Sequence, residues 1–277
     1  MSSHFQWIDA HCHLTDTRVF LDADRILKEC RDQGIAQFLL GGISPEEWVR
    51  QIQLKKNNPE AIGLCFGAHP WWVDDVVSGK IAPLDQCDAE DVIEEALTEL
   101  RRDTAQISAV GETGLDFARD RRKKSEEPQT WAFQEQLLIA KQASKPLVLH
   151  IVQAHEEALK ILKAKGPFKA RGLVHSFSGS WEQAQRYMDL GFLISVGARA
   201  TYPEAQTLHH VIRECPKECL VLETDAPDQP PFHHHGELHS PLSLLKVAEI
   251  CAQIRSEKAE TLLSQCRQNL LGVFSWN

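Results

Sequence analysis

The chain has 277 residues, which is the length of one (β/α)₈ barrel of about 250 residues and leaves no room for a second large domain. Hydrophobic residues make up 43% and charged residues 25%, a composition that excludes wholesale disorder. The net charge of −9 argues against an unaided grip on nucleic acid through a broad basic face, but it leaves open a site whose positive charge comes from metal ions. We expect residues 1–277 to form one domain.

Eight short apolar runs recur along the chain, each followed by a longer amphipathic segment. Each run has five to eight residues rich in Val, Ile, Leu or Phe, as expected of buried parallel strands. In chain order the runs are 5–9, 35–42, 61–67, 107–112, 146–152, 172–177, 192–197 and 219–225. Eight strands alternating with helices predict an α/β fold, a parallel TIM (β/α)₈ barrel.

Helix signals stand between the runs. Segments 89–103 and 131–143 repeat apolar residues at helical spacing. Ser44-Pro45-Glu46-Glu47 and Ser180-Trp181-Glu182-Gln183 have the pattern of capping boxes, which predicts a helix start at each. The competing architecture is a doubly wound open sheet, which normally carries a Gly-rich phosphate loop after its first strand. This chain has His-Cys-His there instead, so the barrel is favoured.

Two stretches interrupt the alternation. Residues 118–128 form a charge run, predicted as a solvated loop or, alternatively, as a basic rim beside a site. Residues 226–241 form a Pro- and His-rich loop after the last strand. Its three consecutive histidines are predicted to be exposed, because neighbouring side chains on an extended chain point to opposite faces.

Histidines and carboxylates stand where the predicted strands end. His11 and His13 are two residues apart after the first strand, a spacing that puts both imidazoles on one face of extended backbone. Glu112, His150, His175 and Asp225 stand at the ends of predicted strands four, five, six and eight, respectively. In a barrel all these strand ends lie on one rim, where barrel enzymes place their chemistry.

This set of side chains predicts metal binding. Burying four histidines and two carboxylates together is costly unless they are paired, and divalent cations would offset that cost. Imidazole with carboxylate suits zinc, manganese, iron or, less well, magnesium. Six ligands are too many for one four-coordinate ion, so we expect two ions that share a carboxylate. Asp9 and Glu223 each precede a ligand by two residues, so both are expected to share the inward face of their strands with that ligand. There they are expected to accept hydrogen bonds from ligating imidazoles, or alternatively to pair with Arg or Lys at the barrel base.

The ordered motifs of the chain resemble those of one known family. They are IDAHCHL (8–14), GAHPWW (67–72), VGETGLDF (110–117), PLVLH (146–150), VHSFSGS (174–180) and LETDAP (222–227). This order resembles the TatD family of metal-dependent hydrolases, TIM barrels of the amidohydrolase type that include deoxyribonucleases. The resemblance implies one ion held by His11, His13, Glu112 and Asp225, and a second held by Glu112, His150 and His175, with Glu112 bridging.

The chain departs from the family pattern on the substrate side. Many members follow the strand-five histidine with Ser-Arg, whereas this chain has Ile151 and Val152, and Asp228-Gln229 replaces a Tyr-Leu pair after the last strand. Arg199 or the basic run 119–124 is a candidate replacement for the missing arginine. His69 and Ser178 are further candidates for substrate contact, Ser178 together with the start of the helix near residue 180. Trp71, Trp72 and Phe177 are candidates for stacking on an unpaired base, or for packing at the rim.

The predicted function is a metal-dependent phosphodiesterase of the deoxyribonuclease type, in which Asp225 is the general base toward a metal-activated water. Its partner is nucleic acid or a small phosphodiester, and no obligate protein partner is evident. One alternative is hydrolysis of another bond by the same ion pair, such as an aminoacyl ester, an amide or a phosphotriester. A second is a non-catalytic metal-binding protein.

The location of the protein is predicted from what the sequence lacks. Eight cysteines without a C-x-x-C pair predict reduced thiols. The N-terminal segment has no basic stretch followed by an apolar one, so we expect no signal peptide. No apolar run approaches the ~18 residues of a membrane span. These features predict a cytoplasmic protein without membrane contact.

Overall fold

The structure is a computed structural model that describes residues 6–81, 88–118, 121–233 and 238–276. Within these ranges the strands are β1 (Trp7–Cys12), β2 (Ile35–Leu40), β3 (Ile62–Gly63), β4 (Cys65–Phe66), β5 (Ala109–Asp116), β6 (Leu147–Val152), β7 (Gly172–Val174), β8 (Phe192–Val196) and β9 (Leu220–Leu222). The α-helices are α1 (Ala23–Asp32), α2 (Pro45–Asn57), α3 (Pro70–Val77), α4 (Ala89–Asp103), α5 (Arg121–Ala143), α6 (His155–Lys165), α7 (Trp181–Asp189), α8 (Gln206–Glu214), α9 (Leu244–Arg255) and α10 (Ala259–Leu271). Short 3₁₀ helices cover Phe20–Asp22, Ala198–Thr201 and Pro241–Ser243.

The strands form one closed parallel barrel. Neighbours pair in chain order, β1 to β3 on one side and β4 to β9 on the other. Only Leu64 separates β3 from β4, so the two are halves of the single strand predicted at 61–67. Hydrogen bonds close the circle: the His13 amide donates to the Ala226 carbonyl at 2.7 Å, and the Asp225 amide donates to the His11 carbonyl at 3.0 Å. The predicted TIM (β/α)₈ barrel is confirmed.

The barrel interior is filled by small and medium-sized apolar side chains, and each of the eight barrel strands contributes at least one. They are Ile8, Ala10, Leu39, Cys65, Ala109, Val148, Leu173, Leu193 and Val221. Leu270 of α10 and Phe274 pack against this cluster and close the amino-terminal end of the barrel. A larger apolar layer between the strands and the surrounding helices holds the helices in place. The carboxyl ends of the strands are therefore the open end of the barrel.

Two strands change their alternation just before they reach that open end. The pairing of β1 with β2 is irregular between Asp9 and Cys12, and the pairing of β5 with β6 is irregular between Val110 and Thr113. Each irregularity resets which side chains face inward. Ile8 and Ala10 face the interior, so Asp9 is on the opposite side of β1, contrary to the prediction that it shares the inward face with His11.

The helix predictions are confirmed in three places and corrected in two. Ser180 makes the complete capping box with Gln183, and 89–103 and 131–143 are helical. The helix start predicted at Ser44 is correct, but the capping box is not formed: the Ser44 side chain makes no capping hydrogen bond, and the Glu47 carboxylate binds the Ile43 amide and the Thr15 hydroxyl. The charge run 118–128 is not wholly a loop, since α5 begins at Arg121 and bends at Ser125.

The structure also describes most of the cysteines and the hydropathy of the helices. The seven cysteines within the described ranges are all free, and Cys87 lies outside those ranges. None of the described helices is both long and apolar enough to cross a bilayer. His233 of the triple-histidine segment is exposed as predicted, whereas positions 234 and 235 lie outside the described residues.

Candidate metal centre

All six predicted ligand residues meet at the open end of the barrel. His11 is the penultimate residue of β1 and His13 follows that strand, while Glu112 lies within β5 and His150 within β6. His175 follows β7 directly, and Asp225 comes three residues after β9. Each of the six is at most 8% exposed. Strands that are far apart along the chain therefore deliver these side chains to one buried cluster.

The Glu112 carboxylate lies at the middle of the cluster, and its two oxygens face different histidines. Oε2 is 3.3 Å from Nε2 of His11 and 3.2 Å from Nε2 of His13. Oε1 is 3.4 Å from Nδ1 of His150 and 3.1 Å from Nε2 of His175. One carboxylate thus separates the donor atoms into two groups, one at each oxygen.

Asp225 completes the first of these groups. Its Oδ1 lies 3.3 Å from Nε2 of His13 and 3.7 Å from Nε2 of His11, whose own Nε2 atoms are 3.2 Å apart. In the second group, Nδ1 of His150 is 3.1 Å from Nε2 of His175. Three triads have donor atoms mutually within 4.8 Å: His11–His13–Asp225, His11–Glu112–His175 and His69–Glu112–His150. Within each triad the nitrogen and oxygen donor atoms therefore lie close enough together to bind one common ion.

Mutual electrostatics set the protonation of this cluster. Burial by itself would raise the pKa of Glu112, but the nearby His11, His175 and His13 outweigh it and hold that pKa well below the usual range. Burial by itself would lower the pKa of His13 and of His175, but the Glu112 carboxylate raises both well above the usual value. These directions are the ones expected of imidazoles that face carboxylates in a dry site.

Two observations test whether these residues fit divalent cations. Oε2 of Glu112 is buried and makes no hydrogen bond of acceptable geometry among the described residues, although two imidazole nitrogens lie nearby. Gly41 of the β2–α2 connection leaves open the space beside them, where a Cβ would lie 2.3 Å from Cε1 of His13 and 2.8 Å from Oε2 of Glu112. Oxygen and imidazole donors around a space kept free of side chains fit divalent cations such as zinc or manganese.

Glu223 lies behind one of the histidines. Its Oε1 is 3.4 Å from Nδ1 of His175 and accepts the Ser176 amide at 2.5 Å, and its Oε2 accepts the Ser195 hydroxyl. The carboxylate thereby contacts the His175 nitrogen that faces away from Glu112. No Arg or Lys of the barrel base is among these contacts.

Within the described ranges, Asp9 makes no hydrogen bond to an imidazole nitrogen, which differs from the prediction for that residue. Its carboxylate accepts from the backbone amides of His11 and Thr224, at 3.2 and 3.0 Å, and from the Thr224 hydroxyl at 2.6 Å. Burial raises the pKa of Asp9 to about 8, against the lowering effect of these hydrogen bonds. Asp9 therefore ties β1 to the end of β9, and the irregular pairing of β1 explains why it does not share the face of His11.

His69 lies at the start of α3, beside the second group of donors. Its Nδ1 accepts the Trp71 amide at 3.0 Å, and its Nε2 is 3.6 Å from Oε1 of Glu112. Burial and the neighbouring His150 lower the pKa of His69 to about 4, so the ring is neutral at pH 7. Since Nδ1 is an acceptor, the proton of the neutral ring is on Nε2, which points toward the site.

Asp116 is a buried cavity residue that the sequence reasoning missed. It ends β5, and its carboxylate accepts the Trp71 indole N–H and, at 2.9 Å, the Ala118 amide. Nε2 of His150 is 3.5 Å from the same carboxylate. Burial by itself would raise the pKa of Asp116, but His150 and Trp71 lower it below the usual range. The available signal was its position four residues after Glu112 on one strand, which places both on the same face.

A cavity of about 440 Å³ opens above the cluster and is lined by acidic side chains from several loops. Asp16 and Asp228 stand at its mouth, and both bind Arg18, which forms a two-pronged pair with Asp228. Gln229 donates to Asp225 and exchanges hydrogen bonds with Ser176. The Asp228-Gln229 pair, noted in the sequence as a departure, thus lies at the entrance of the cavity.

The predicted substrate-contact residues fall into two sets. Arg199 and Ser178 are exposed and line a smaller cavity next to the cluster, bounded also by Ile151, Ser176 and Gln229. The Arg199 guanidinium lies over the Tyr202 ring, 4.8 Å from its centroid. Lys123 and Lys124 of the basic run line a different groove along α5, and positions 119 and 120 lie outside the described residues.

The three aromatic candidates differ in their exposure to the cavity. Trp71 is 44% exposed at the cavity, edge-on to His69 and His150 at 5.1 and 5.8 Å between ring centroids. Trp72 and Phe177 are buried in the layer between strands and helices, so of the two predicted alternatives, base stacking and packing, these two residues pack. Of the three, Trp71 has a face at the site.

Comparison with known proteins agrees with this geometry. The family model described as TatD related DNase matches residues 8–275. The metal-dependent hydrolase YjjV of Escherichia coli is 30% identical over 270 residues, covering 98% of each chain, and its crystal structure superposes with a TM-score of 0.85 over 99% of both chains. The 3'-5' ssDNA/RNA exonuclease TatD of Erwinia tasmaniensis is 28% identical over 278 residues, covering 96% of this chain and 99% of that protein. This chain belongs to the TatD family of metal-dependent hydrolases.

Proposed function

We propose that this protein is a two-metal phosphodiesterase that cleaves single-stranded nucleic acid at its ends, as one barrel domain over residues 1–277. The observation that carries the proposal is the Glu112 carboxylate, whose two oxygens each face a separate group of imidazole nitrogens. Such a carboxylate suits a bridge between two cations. Paired cations are a recurrent solution for phosphoryl chemistry, in which both the attacking and the leaving oxygen carry charge.

The two ligand sets follow from which oxygen each residue faces. His11, His13, Asp225 and Oε2 of Glu112 would hold one divalent cation. His150, His175 and Oε1 of Glu112 would hold the other. Zinc, manganese or iron suits these donors better than magnesium, which prefers oxygen ligands. When bound, the cations supply a water of lowered pKa and neutralise charge on the non-bridging phosphate oxygens.

Asp225 is the proposed general base. Burial would raise its pKa, but the hydrogen bond and charge of His13 hold that pKa below the usual range, so the carboxylate is ionised at neutral pH. Gln229 donates to its Oδ2 and fixes the carboxylate toward the cavity. In the reaction a water oxygen bonds to phosphorus while the ester P–O bond breaks, Asp225 accepts a proton from the water, and the departing oxygen takes a proton to leave as an alcohol.

His69 is the proposed hydrogen-bond donor to a substrate oxygen. The Trp71 amide occupies the Nδ1 lone pair, so the ring keeps its proton on Nε2, the atom that faces the cavity. A neutral imidazole in this tautomer can donate to a phosphate oxygen without carrying charge into an already cationic site. His69 is therefore assigned to the substrate and not to a cation.

Arg199 and Ser178 are the proposed anchor for a phosphate of the substrate beyond the cleaved bond. Ile151 and Val152 of β6 stand where many family members have Ser and Arg, so β6 contributes apolar side chains to this cavity. Arg199 is exposed and lines the same cavity, and its guanidinium lies over the Tyr202 ring. Its planar donors suit phosphate oxygens, and the Ser178 hydroxyl lines the same pocket.

Replacing Arg199 by alanine is expected to raise KM for a short single-stranded oligonucleotide about tenfold and to change kcat less, since a charge-assisted hydrogen bond to bound substrate is lost. Steady-state kinetics on labelled oligonucleotides measure both constants. Arg213 on α8 is exposed but lines neither cavity, so Arg213→Ala is the matched control. Unchanged KM and kcat in Arg199→Ala would remove this residue from the proposal.

Charge and cavity size both favour small or single-stranded substrates over a wrapped duplex. The net charge is −9, and acidic side chains line the cavity mouth, so binding relies on the cations and a few local donors. Trp71 has an exposed indole beside the cluster on which an unpaired base can stack. The similarity to a relative named as a 3'-5' ssDNA/RNA exonuclease supports the same substrate class.

The second candidate function is hydrolysis of another ester, amide or phosphotriester by the same centre. The apolar Ile151 and Val152 beside His150 favour it, since an uncharged substrate group would pack there better than a phosphate. A purely non-catalytic role is disfavoured because a structural metal site is closed by protein ligands, whereas this cluster opens into a cavity.

A parallel assay separates these functions. The full chain, stripped of metal and then supplied with Zn²⁺, Mn²⁺ or Mg²⁺, is incubated with labelled single-stranded DNA, duplex DNA, an aminoacyl ester and a phosphotriester. We expect cleavage of single-stranded DNA from its ends, lost on chelation and restored by Zn²⁺ or Mn²⁺, with circular dichroism unchanged by chelation. Turnover of the ester alone would favour the second candidate, and metal binding without any turnover would favour the non-catalytic role.

A further inference from the structure

Asp116 occupies the far side of the His150 imidazole from Glu112. Nδ1 of His150 faces Oε1 of Glu112 at 3.4 Å, and Nε2 of the same ring faces Oδ2 of Asp116 at 3.5 Å. The imidazole is therefore placed between two carboxylates, one on each nitrogen. Both carboxylates are buried, so neither position is a chance surface contact.

The same arrangement recurs at the neighbouring histidine. Nε2 of His175 faces Oε1 of Glu112 at 3.1 Å, and its Nδ1 faces Oε1 of Glu223 at 3.4 Å. The two rings of this group thus present opposite nitrogens to Glu112, and each has a carboxylate on the nitrogen that remains. In metal sites such a carboxylate fixes the tautomer and the ring orientation of the ligating histidine.

Asp116 is itself fixed from two sides. Oδ1 accepts the Ala118 amide at 2.9 Å, and Oδ2 accepts the indole N–H of Trp71. These donors leave the carboxylate little freedom to turn away from His150. Trp71 is also the exposed aromatic residue of the cavity, so one side chain both holds Asp116 and faces incoming substrate.

We propose that Asp116 is a positioning residue, which keeps the proton of His150 on Nε2 and directs Nδ1 toward the second cation position. The inference rests on the proposed metal centre but not on any particular substrate. Asp116 acts through His150 and does not belong to any of the close donor triads found among the described residues. Trp71 supports the same carboxylate from the cavity side.

The test is zinc affinity measured without substrate, by competition with a chromophoric chelator on the metal-depleted full chain. Asp116→Asn is expected to lower the affinity for one of the two zinc ions by about 10- to 100-fold. This is the usual effect of losing a carboxylate behind a ligating histidine. Asp228→Asn is the matched control, since it also removes one negative charge from the cavity lining, but the Asp228 carboxylate binds Arg18 and not a proposed ligand histidine. Its zinc affinity is expected to stay within about threefold of wild type, because the charge is half-exposed and screened.

Several outcomes would overturn the proposal. Equal weakening in both variants would make the effect one of net charge, and unchanged affinity in Asp116→Asn would show that His150 needs no support. The melting temperature of the metal-depleted proteins separates loss of folding from loss of positioning. If Asp116→Asn does not fold, a crystal structure of the zinc-loaded wild-type chain decides: zinc on Nδ1 of His150 with Nε2 within 3.2 Å of Asp116, as in a normal hydrogen bond, supports positioning, and zinc on Nε2 contradicts it.

Failure of this inference differs from failure of the proposed function. A wild-type chain that binds two zinc ions but cleaves no nucleic acid would overturn the phosphodiesterase proposal and leave the role of Asp116 intact. Unchanged zinc affinity in Asp116→Asn, with nuclease activity in the wild type, would overturn the role of Asp116 and leave the phosphodiesterase proposal intact. A wild-type chain that binds no zinc would contradict both.

Discussion

Replacing Glu112 by glutamine is expected to reduce the bound divalent cations from two per chain to at most one and to lower hydrolysis by about 10³-fold or more. The reason is geometric. Glu112 faces His11 and His13 with one oxygen and His150 and His175 with the other, so it is common to both proposed ligand sets. Glutamine keeps the size of the side chain but offers one neutral oxygen and an amide nitrogen, which cannot bind a cation as a carboxylate does.

The measurements are metal content of the purified variant by mass spectrometry and turnover of a labelled single-stranded oligonucleotide. Asp74→Asn is the matched control, because Asp74 is also a buried carboxylate but binds the Ser125 hydroxyl, away from the cluster. The control should retain both ions and most of the activity. If Glu112→Gln still bound two ions with wild-type turnover, the bridging role of this carboxylate would be wrong.

Replacing Gly41 by alanine is expected to weaken metal binding by at least about 100-fold and to lower turnover by about 100-fold or more, since a displacement of about 1 Å at a catalytic centre has that cost. A Cβ at this position would lie 2.3 Å from Cε1 of His13 and 2.8 Å from both Cε1 of His11 and Oε2 of Glu112. These contacts are too short for non-bonded atoms, so the ligands must move. The added methyl group would fill the space that the cluster surrounds.

Gly272→Ala is the control for a glycine replacement that adds a methyl group without a clash. A Cβ added at Gly272 would lie 3.4 Å from the nearest atoms, the backbone oxygens of Asn269 and Gln268. The φ of Gly272, −75°, is one that alanine adopts readily. Chelator competition gives the affinity, and thermal unfolding of the metal-depleted proteins shows whether Gly41→Ala still folds. A Gly41→Ala chain that folds and binds metal like wild type would mean that the space beside Gly41 is not used by a cation.

Much of the fold could be predicted because buried parallel strands and amphipathic helices leave local patterns. The eight predicted strand positions correspond to the barrel strands, with 61–67 divided at Leu64 into β3 and β4. The prediction for Ser180 was equally local and is confirmed by its capping box. Ser44 has the same sequence pattern, but Glu47 binds Thr15 from another part of the chain, so a long-range contact displaced the local one.

Sequence alternation was less reliable where strands are irregular. Counting by two put Asp9 on the face of His11, but the pairing of β1 is irregular between Asp9 and Cys12, and Asp9 binds Thr224 instead. Asp116 was missed because its one signal, a position four residues after Glu112 on the same strand, does not by itself separate it from an ordinary strand residue. Its role is visible only when Trp71 and His150, from other elements, are seen against the same carboxylate.

The sequence by itself determined the barrel architecture and the six residues at its open end, since strand order and strand termini are local properties of a repeating β–α pattern. Only the tertiary structure decided which oxygen of Glu112 faces which histidine, which nitrogen of His69 carries the proton, and which carboxylate stands behind each ring. These properties depend on distances between strands separated by dozens of residues and on irregular pairing that shifts the inward face. Local periodicity carries no information about either.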